Sequence, residues 1–249
     1  MSAYFESLNR RATVTAATAA TARTAKRAGQ RVPFSRLTPG AVPSEYAALR
    51  ERLLTASTTP VRSIVFVGCD GDEGCTQVVR EFGEALASMG LRMLLVDADM
   101  RTGGLTTRLA AHGGDLATLA ADASDPKDAP WGKGSLTIVP SPVGCSEKEN
   151  FLRSPALAAW LEKQQHRYDY VLLDVPPLER FADALLVSTL CDGVVLVVQP
   201  GHTNLHSVVR ARERVERAGA RLLGVVLNRA VDSMPPFLWR LLRKGVISP

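Results

Sequence analysis

A glycine-rich loop that could bind phosphate lies at residues 71–77, Gly-Asp-Glu-Gly-Cys-Thr-Gln. Loops of this kind cradle phosphate oxygens with backbone N–H groups, and a lysine followed by serine or threonine contacts the outer phosphates and Mg²⁺. Here Thr76 keeps the hydroxyl, but Cys75 stands where the lysine would be. One ammonium about 4 Å from a phosphate oxygen contributes roughly 4 kcal/mol at an effective dielectric of about 20. The sequence therefore predicts a phosphate loop that has lost its main positive charge.

Two strand-like apolar runs each end in acidic residues. Asp97 and Asp99 follow the first run, and Asp174 follows the second. The carboxyl ends of parallel strands meet at the crevice where an open α/β sheet binds its ligand. Three carboxylates at that edge are costly without a cation. The sequence therefore predicts a cation at that edge.

The elements that must position these groups alternate between strand and helix. Residues 63–68 form a short apolar, β-branched run, and residues 76–89 carry apolar side chains at helical spacing, which gives the strand, loop and helix that a phosphate loop requires. The other predicted strands lie near 91–96, 136–140, 168–173, 193–198 and 221–227. The predicted helices lie near 43–57, 75–89, 104–111, 155–166, 182–190 and 204–218, with a surface loop over 122–134. This alternation predicts an α/β fold, a doubly wound, mostly parallel sheet with helices on both faces.

Length and composition fit one domain with tails. The 249 residues are 46% apolar, which suffices for a full core. No apolar run approaches the length of a membrane span, and four cysteines in no metal-ligand spacing indicate a reduced, cytoplasmic setting. Cys75 differs from the others because the amino end of a helix would stabilise its thiolate. The alternative is a small, inert residue in a disused loop.

Charge is concentrated in residues 1–40, which hold seven basic residues against Glu6, whereas the whole chain has a net charge of +5. Residues 1–42 are predicted to be a basic, disordered or partly helical arm, with an organelle transit peptide as the alternative. Residues 43–234 would form the domain. Residues 235–249 predict a basic amphipathic helix, suited to a membrane surface or an acidic partner, or to packing on the sheet. The sequence has no basic patch with interleaved aromatic residues, so nucleic-acid binding is not expected.

The region from about Ser44 to Asn228 resembles the bacterial tyrosine kinases of capsule and exopolysaccharide biosynthesis, P-loop NTPases of the deviant Walker A class. Their loop runs Pro-Gly-Glu-Gly-Lys-Ser/Thr-Thr, against residues 71–77 here. Their Walker A′ pattern, Asp-x-Asp-x-Arg, matches residues 97–101. Their Walker B strand matches residues 168–177 almost residue for residue.

The resemblance implies a site for ATP or ADP with Mg²⁺, in which Thr76, Asp99 and Asp174 would hold the ion, and a role for each matching position. Asp97 would be the catalytic carboxylate that orients or deprotonates the acceptor hydroxyl, and Asn228 would face the base. The implied nucleotide-binding residues are Gly71, Glu73, Gly74, Cys75, Thr76, Gln77, Arg101 and Asn228. The implied partner is a membrane polysaccharide co-polymerase or another polysaccharide assembly protein, with this chain in the cytoplasm or at the inner membrane surface.

Three departures from the family indicate lost catalysis and weak or lost nucleotide binding. Cys75 replaces the loop lysine. The helix that builds the family's rings opens with Glu-x-x-Arg-x-x-Arg, whereas this chain has Ser44, Ala47 and Arg50, so a monomer or dimer is expected rather than a ring. The carboxyl-terminal tyrosine cluster that the family phosphorylates is absent. The four tyrosines of the chain are Tyr4, Tyr46, Tyr168 and Tyr170.

These residues leave three functions open. The first is a catalytically impaired, kinase-like regulator of an exopolysaccharide or capsule biosynthesis and export system, docked on a membrane co-polymerase. The second is an active protein-tyrosine kinase or ATPase in which Arg101, or an arginine from a partner, replaces the lysine. The third is a relative of the partitioning or division-site ATPases. Their signature lysine early in the loop has no counterpart between Val61 and Met89, which counts against the third.

Overall fold

The structure is a computed structural model that describes residues 13–15, 43–55, 59–109, 114–142 and 148–230. Within these residues, eight strands form one sheet. The strands are β1 (Thr13–Thr15), β2 (Ser63–Gly68), β3 (Arg92–Asp97), β4 (Pro130–Trp131), β5 (Gly134–Val139), β6 (Tyr170–Asp174), β7 (Gly193–Val198) and β8 (Leu222–Leu227). Their order is β1-β8-β7-β2-β6-β3-β5-β4, and every pairing is parallel except that of β4 with β5. The predicted mostly parallel sheet is confirmed.

Helices cover both faces of this sheet. They are α1 (Ser44–Thr55), α2 (Cys75–Ser88), α3 (Gly104–Leu109), α4 (Leu116–Ala121), α5 (Lys148–Leu152), α6 (Pro155–Arg167), α7 (Asp183–Ser188) and α8 (Leu205–Arg217). One core layer joins α4, α6, α7 and α8 to one face, and the other joins α1 and α2 to the opposite face. Alternate residues of β2 divide accordingly, with Val65 and Val67 in the first layer and Ile64 and Phe66 in the second. The doubly wound architecture is therefore confirmed.

The close packing of α2 on the sheet fixes the position of the loop that precedes it. Val79, Phe82 and Leu86 recur at helical spacing and are fully buried. Gly83 allows the helix to approach β3, because a Cβ there would lie 2.7 Å from the Leu95 Cδ2 atom. The amino end of α2 is thereby held at the carboxyl edge of β2.

The strand register brings two of the acidic residues together. Asp97 and Asp174 are direct partners in the pairing of β3 with β6. Both end their strands, so their side chains leave the sheet at the edge that faces the loop.

Some elements differ from those predicted. The surface loop predicted over 122–134 contains β4, which pairs with β5 through a turn at Gly132 (φ 56°). The helices α4 and α5 were not predicted. Within the arm predicted to be disordered or partly helical, β1 pairs in parallel with β8. The rest of that arm and the predicted carboxyl-terminal helix lie outside the described residues.

Candidate nucleotide-binding site

The loop between β2 and α2 has the backbone of a phosphate cradle. Gly71, Asp72 and Gly74 have positive φ values of 114°, 67° and 81°. Aspartate is one of the few residues with a side chain that enters this region readily, so Asp72 follows the turn in place of the family's glycine. Among the described residues, no acceptor is found for the N–H groups of residues 72–77. These donors lead into the amino end of a 14-residue helix, where the dipole favours an anion.

The buried side chain of Glu73 stabilises the loop by hydrogen bonds to its backbone. Its side chain is 1% exposed, and its carboxylate accepts the N–H groups of Asp70 at 2.7 Å and Gly71 at 2.9 Å. Charge-assisted bonds of this kind are about twice as strong as neutral ones. The structure therefore places this predicted nucleotide-binding side chain on the loop backbone.

Thr76 and Asp174 lie side by side at the base of the loop. The Thr76 hydroxyl and the Cys75 thiol contact the Asp174 carboxyl, whose Oδ2 atom has no hydrogen-bond partner among the described residues. Burial is the main cause that raises the pKa of Asp174 to about 7. The neighbouring Asp97 carboxylate acts in the same direction, and the hydrogen bond from Thr76 opposes the shift. A buried, unpartnered carboxylate oxygen is costly unless a cation or a proton compensates it.

This pair fits Mg²⁺ bound together with a phosphate. Magnesium is usually held by one or two carboxylates, several waters and substrate phosphates, and a loop threonine supplies one further oxygen. Thr76 and Asp174 would hold the ion, and the ion would neutralise phosphate charge when bound.

Asp99, the third predicted metal ligand, accepts hydrogen bonds from the residues that follow it in the chain. Its Oδ1 atom accepts the N–H groups of Arg101 at 3.0 Å and Thr102 at 3.1 Å, and its Oδ2 atom accepts the Thr102 hydroxyl. Within the described residues, no three His, Cys, Asp or Glu side chains converge to hold a metal. The structure thus brings together only two of the three predicted ligands.

Cys75 is a neutral group in this environment. Burial raises the pKa of its thiol well above the usual value, and nearby carboxylates, Asp174 first among them, raise it further. The raised pKa opposes the thiolate that the helix amino end would favour, and it fits the alternative, a small, inert residue in the loop.

Asp97, the predicted catalytic residue, is fully bonded within the fold. Its Oδ2 atom accepts both the N–H and the hydroxyl of Thr106 at 2.7 Å, and its Oδ1 atom accepts the N–H of Asp99 at 3.1 Å. Burial raises the pKa of Asp97 although these bonds oppose the shift. The side chain is 0% exposed.

Arg101 is committed to an ion pair away from the loop. Its Nε and Nη2 atoms donate to Asp183 at 3.0 and 3.3 Å, and its guanidinium lies 4.1 Å above the Phe181 ring centre. The structure therefore does not bring this predicted replacement for the lysine to the loop.

Asn228 and Gln77, two further predicted nucleotide contacts, bond to the protein. Asn228 is 3% exposed and donates from Nδ2 to the carbonyl of Glu73 at 2.8 Å and to that of Gly74 at 3.5 Å. Gln77 donates to Glu81 on its own helix at 2.8 Å. Asn228 thus ties the end of β8 to the loop.

Two arginines that sequence reasoning missed approach the loop. Arg180 follows the Pro-Pro turn after β6, and Arg229 follows Asn228 after β8. A Cβ built at Gly71 would lie 3.2 Å from the Arg180 guanidinium, and one at Gly74 would lie 3.1 Å from that of Arg229. Their positions just beyond strand ends were the available signal, since such positions face the ligand edge of the sheet.

The described tyrosines are poor phosphate acceptors. Tyr46, Tyr168 and Tyr170 are 3%, 2% and 6% exposed. Burial raises the pKa of each of the three hydroxyls. Their hydroxyls are thus closed to a second active site.

A family model described as an AAA domain matches residues 61–223, about two thirds of the chain. The chain belongs to this AAA-domain family. Within it, the resemblance to the bacterial tyrosine kinases is confirmed. The tyrosine-protein kinase CpsD of Streptococcus agalactiae is 29% identical over 178 residues, which cover 66% of this chain and 74% of that protein. The succinoglycan biosynthesis transport protein ExoP of Rhizobium meliloti is 29% identical over 212 residues, which cover 80% of this chain but 27% of ExoP.

Solved structures agree on the fold. The kinase domain of the Escherichia coli tyrosine kinase ETK superimposes with a TM-score of 0.69 at 22% identity, covering 83% of this chain and 86% of that domain. Other structures of this P-loop fold hold Mg-ADP, or an ATP analogue with magnesium. At this level of identity the likeness shows the fold alone. Among the helices of the described residues, none has the length and apolar character needed to cross a membrane.

Proposed function

We propose that this chain is a kinase-like regulator of exopolysaccharide or capsule biosynthesis and export whose own phosphotransfer is impaired. The observation that carries the proposal is Cys75. A neutral thiol, in contact with Asp174, occupies the loop position of the family's lysine. Without that charge, phosphate affinity and stabilisation of the transferring group both fall.

The catalytic side chains support the same conclusion. Within the described residues, Asp97 accepts three hydrogen bonds, from Asp99 and Thr106, and Arg101 is paired with Asp183. Activation of an acceptor hydroxyl would require Asp97 to give up part of this network. The loop, with Thr76 and Asp174, retains what is needed to bind Mg-ADP or Mg-ATP weakly.

Binding to a partner is the remaining role. We propose that the chain acts in the cytoplasm on a membrane polysaccharide co-polymerase or another assembly protein, by analogy with the polysaccharide transport role in the name of ExoP. Nucleotide state would then set the conformation that the partner recognises.

An active kinase or ATPase is the alternative, and the retained Thr76–Asp174 pair favours it. Complementation separates the two functions. In a strain that lacks the gene, a regulator with impaired catalysis predicts that Asp97→Asn restores surface polysaccharide as well as the wild-type chain does, at equal protein level. Asp115→Asn, at the cap of α4, is the matched control. Failure of Asp97→Asn beside a functional Asp115→Asn would contradict the proposal.

A further inference from the structure

Two guanidinium groups lie against the glycines of the loop. The Arg180 Cζ and Nη2 atoms are each 3.2 Å from the Cβ position of Gly71, and the Arg229 Nη2 atom is 3.1 Å from that of Gly74. Both glycines have positive φ, so a side chain there would be strained and would displace the guanidinium. At Gly74 the Asn228 Nδ2 atom lies closer still, at 2.5 Å from the Cβ position. A guanidinium thus lies beside each of these two glycines of the loop.

Arg229 is held in place by a strained backbone. Its φ of 54° is in the left-handed region, and its N–H donates to the Asn228 Oδ1 atom at 2.9 Å. Its Nη1 atom donates to the Asp72 carbonyl at 3.0 Å and to the Gln199 Oε1 atom at 2.9 Å. The Nε and Nη2 atoms have no acceptor among the described residues, so part of the guanidinium remains available. Backbone strain that aims a charged group at a site is a pointer to function.

Arg180 carries a charge that the described protein does not neutralise. Its side chain is exposed and makes no hydrogen bond or ion pair within the described residues. The adjacent Glu179 pairs instead with Arg210 at 2.9 Å. Arg101, by contrast, is neutralised by Asp183. The guanidinium at the Gly71 corner is therefore free to bind an anionic ligand.

We propose that Arg180 and Arg229 supply the positive charge that Cys75 lacks and hold the phosphates of a nucleoside diphosphate or triphosphate on the loop. This rests on the proposed function, because it concerns the same site. The unpartnered Asp174 Oδ2 atom beside Thr76 points independently to a metal-bound phosphate ligand. Guanidinium suits this task because its planar donors match phosphate oxygens in pairs.

The test is calorimetric titration of Mg-ADP into the full chain and into Arg180→Gln, Arg229→Gln and the double variant. We expect each single change to weaken affinity at least tenfold, the double change to weaken it further, and the salt dependence of affinity to decrease with each lost charge. Arg180→Lys should retain part of the affinity. The matched control is Arg62→Gln, an exposed arginine before β2 at the opposite end of the strands, which should change neither quantity.

A second comparison uses Cys75→Lys as the background. If the arginines replace the lysine, Arg180→Gln should cost less affinity in Cys75→Lys than in the wild-type chain. Unchanged affinity and salt dependence in the arginine variants would overturn the inference, as would a lower unfolding midpoint without a change in binding. Wild-type protein that binds no Mg-ADP at millimolar concentration would also overturn it. That result would leave the role of a kinase-like regulator with impaired phosphotransfer standing, but without control by nucleotide. Phosphate transfer to tyrosine by the wild-type protein would instead contradict the proposed function.

Discussion

The chemistry of the phosphate loop depends on Cys75 and the acidic residues around it. The thiol stays protonated because it is buried beside carboxylates, which raises its pKa. The position thus contributes no positive charge to bound phosphate, and no thiolate that would repel it.

Restoring the lysine should restore affinity. We expect Cys75→Lys to tighten Mg-ATP binding more than tenfold, because the new ion pair is worth at least the ~1.4 kcal/mol that this factor requires. Calorimetry measures the change. Cys75→Met is the matched control, since it adds a side chain of similar length without charge. Equal affinities for the lysine and methionine variants would show that charge at this position does not limit binding.

Asp174 predicts a stability that depends on pH. Its folded pKa of about 7 lies above its ordinary value of 3.8, so the folded state binds the proton more tightly and loses stability as pH rises from about 4 to 7. Asp174→Asn should therefore raise the free energy of unfolding at pH 8 by roughly 1–4 kcal/mol and leave it unchanged below pH 4. Urea unfolding at both pH values checks this. Exposed Asp122→Asn should show no such difference, and a pH-independent effect of Asp174→Asn would contradict the assignment.

Only part of the site could be predicted from the sequence. The loop and Thr76 follow from one local motif, a strand, a turn and a helix, and Asp174 follows from a second, an apolar strand that ends in an acidic residue. The partners of Arg101 and Asn228 are 82 and 155 residues away in the chain, so no local pattern shows that these side chains are already bonded. The approach of Arg180 to Gly71 was missed for the same reason.

The helix α1 affects how copies of the chain can associate, because it corresponds to the helix that builds the family's rings. Tyr46, Leu49 and Leu53 are buried against α2, and the Tyr46 hydroxyl donates to Glu81 at 2.6 Å. Ser44 is exposed and Ala47 is half-buried at the places where the family's ring helix carries charged contacts.

We therefore expect a monomer or dimer in solution. A single surface ion pair contributes only about 0–1 kcal/mol, but a contact repeated around a ring multiplies the loss. Light scattering on the full chain measures the mass directly. The variant Ser44→Glu with Ala47→Arg, which restores the family pattern, should shift the mass upward if the helix still fits a neighbour. An octamer-sized wild-type particle would contradict the prediction.

The long elements were predictable and the short ones were not. The strands β2, β3 and β7 are continuous apolar runs, and α2 keeps its helical spacing over 14 residues. The strand β4 has two residues and α5 has five, too few for a period to emerge. Asp115 accepts the Thr118 N–H as the cap of α4, which is a local signal that the sequence analysis missed.

The uneven distribution of charge along the chain predicts how the protein binds a membrane surface. Seven basic residues fall in residues 1–40. We expect removal of that segment to weaken sedimentation with anionic vesicles, because electrostatic attraction there is about 1 kcal/mol per basic residue. Separate removal of residues 235–249 tests the other predicted membrane-binding segment, and neutral vesicles are the control. If the full-length protein does not sediment with anionic vesicles, binding to a partner protein would be the remaining route to the membrane.

We expect the molecule to keep the nucleotide-binding fold but not efficient catalysis. Calorimetric titration of the full chain with Mg-ATP, with phosphate release followed in the same sample, tests it most directly. The loop without its lysine predicts a dissociation constant weaker than the low micromolar range and no sustained turnover. A dissociation constant in the low micromolar range or below, together with turnover, would contradict the claim and identify the chain as an active member of its family.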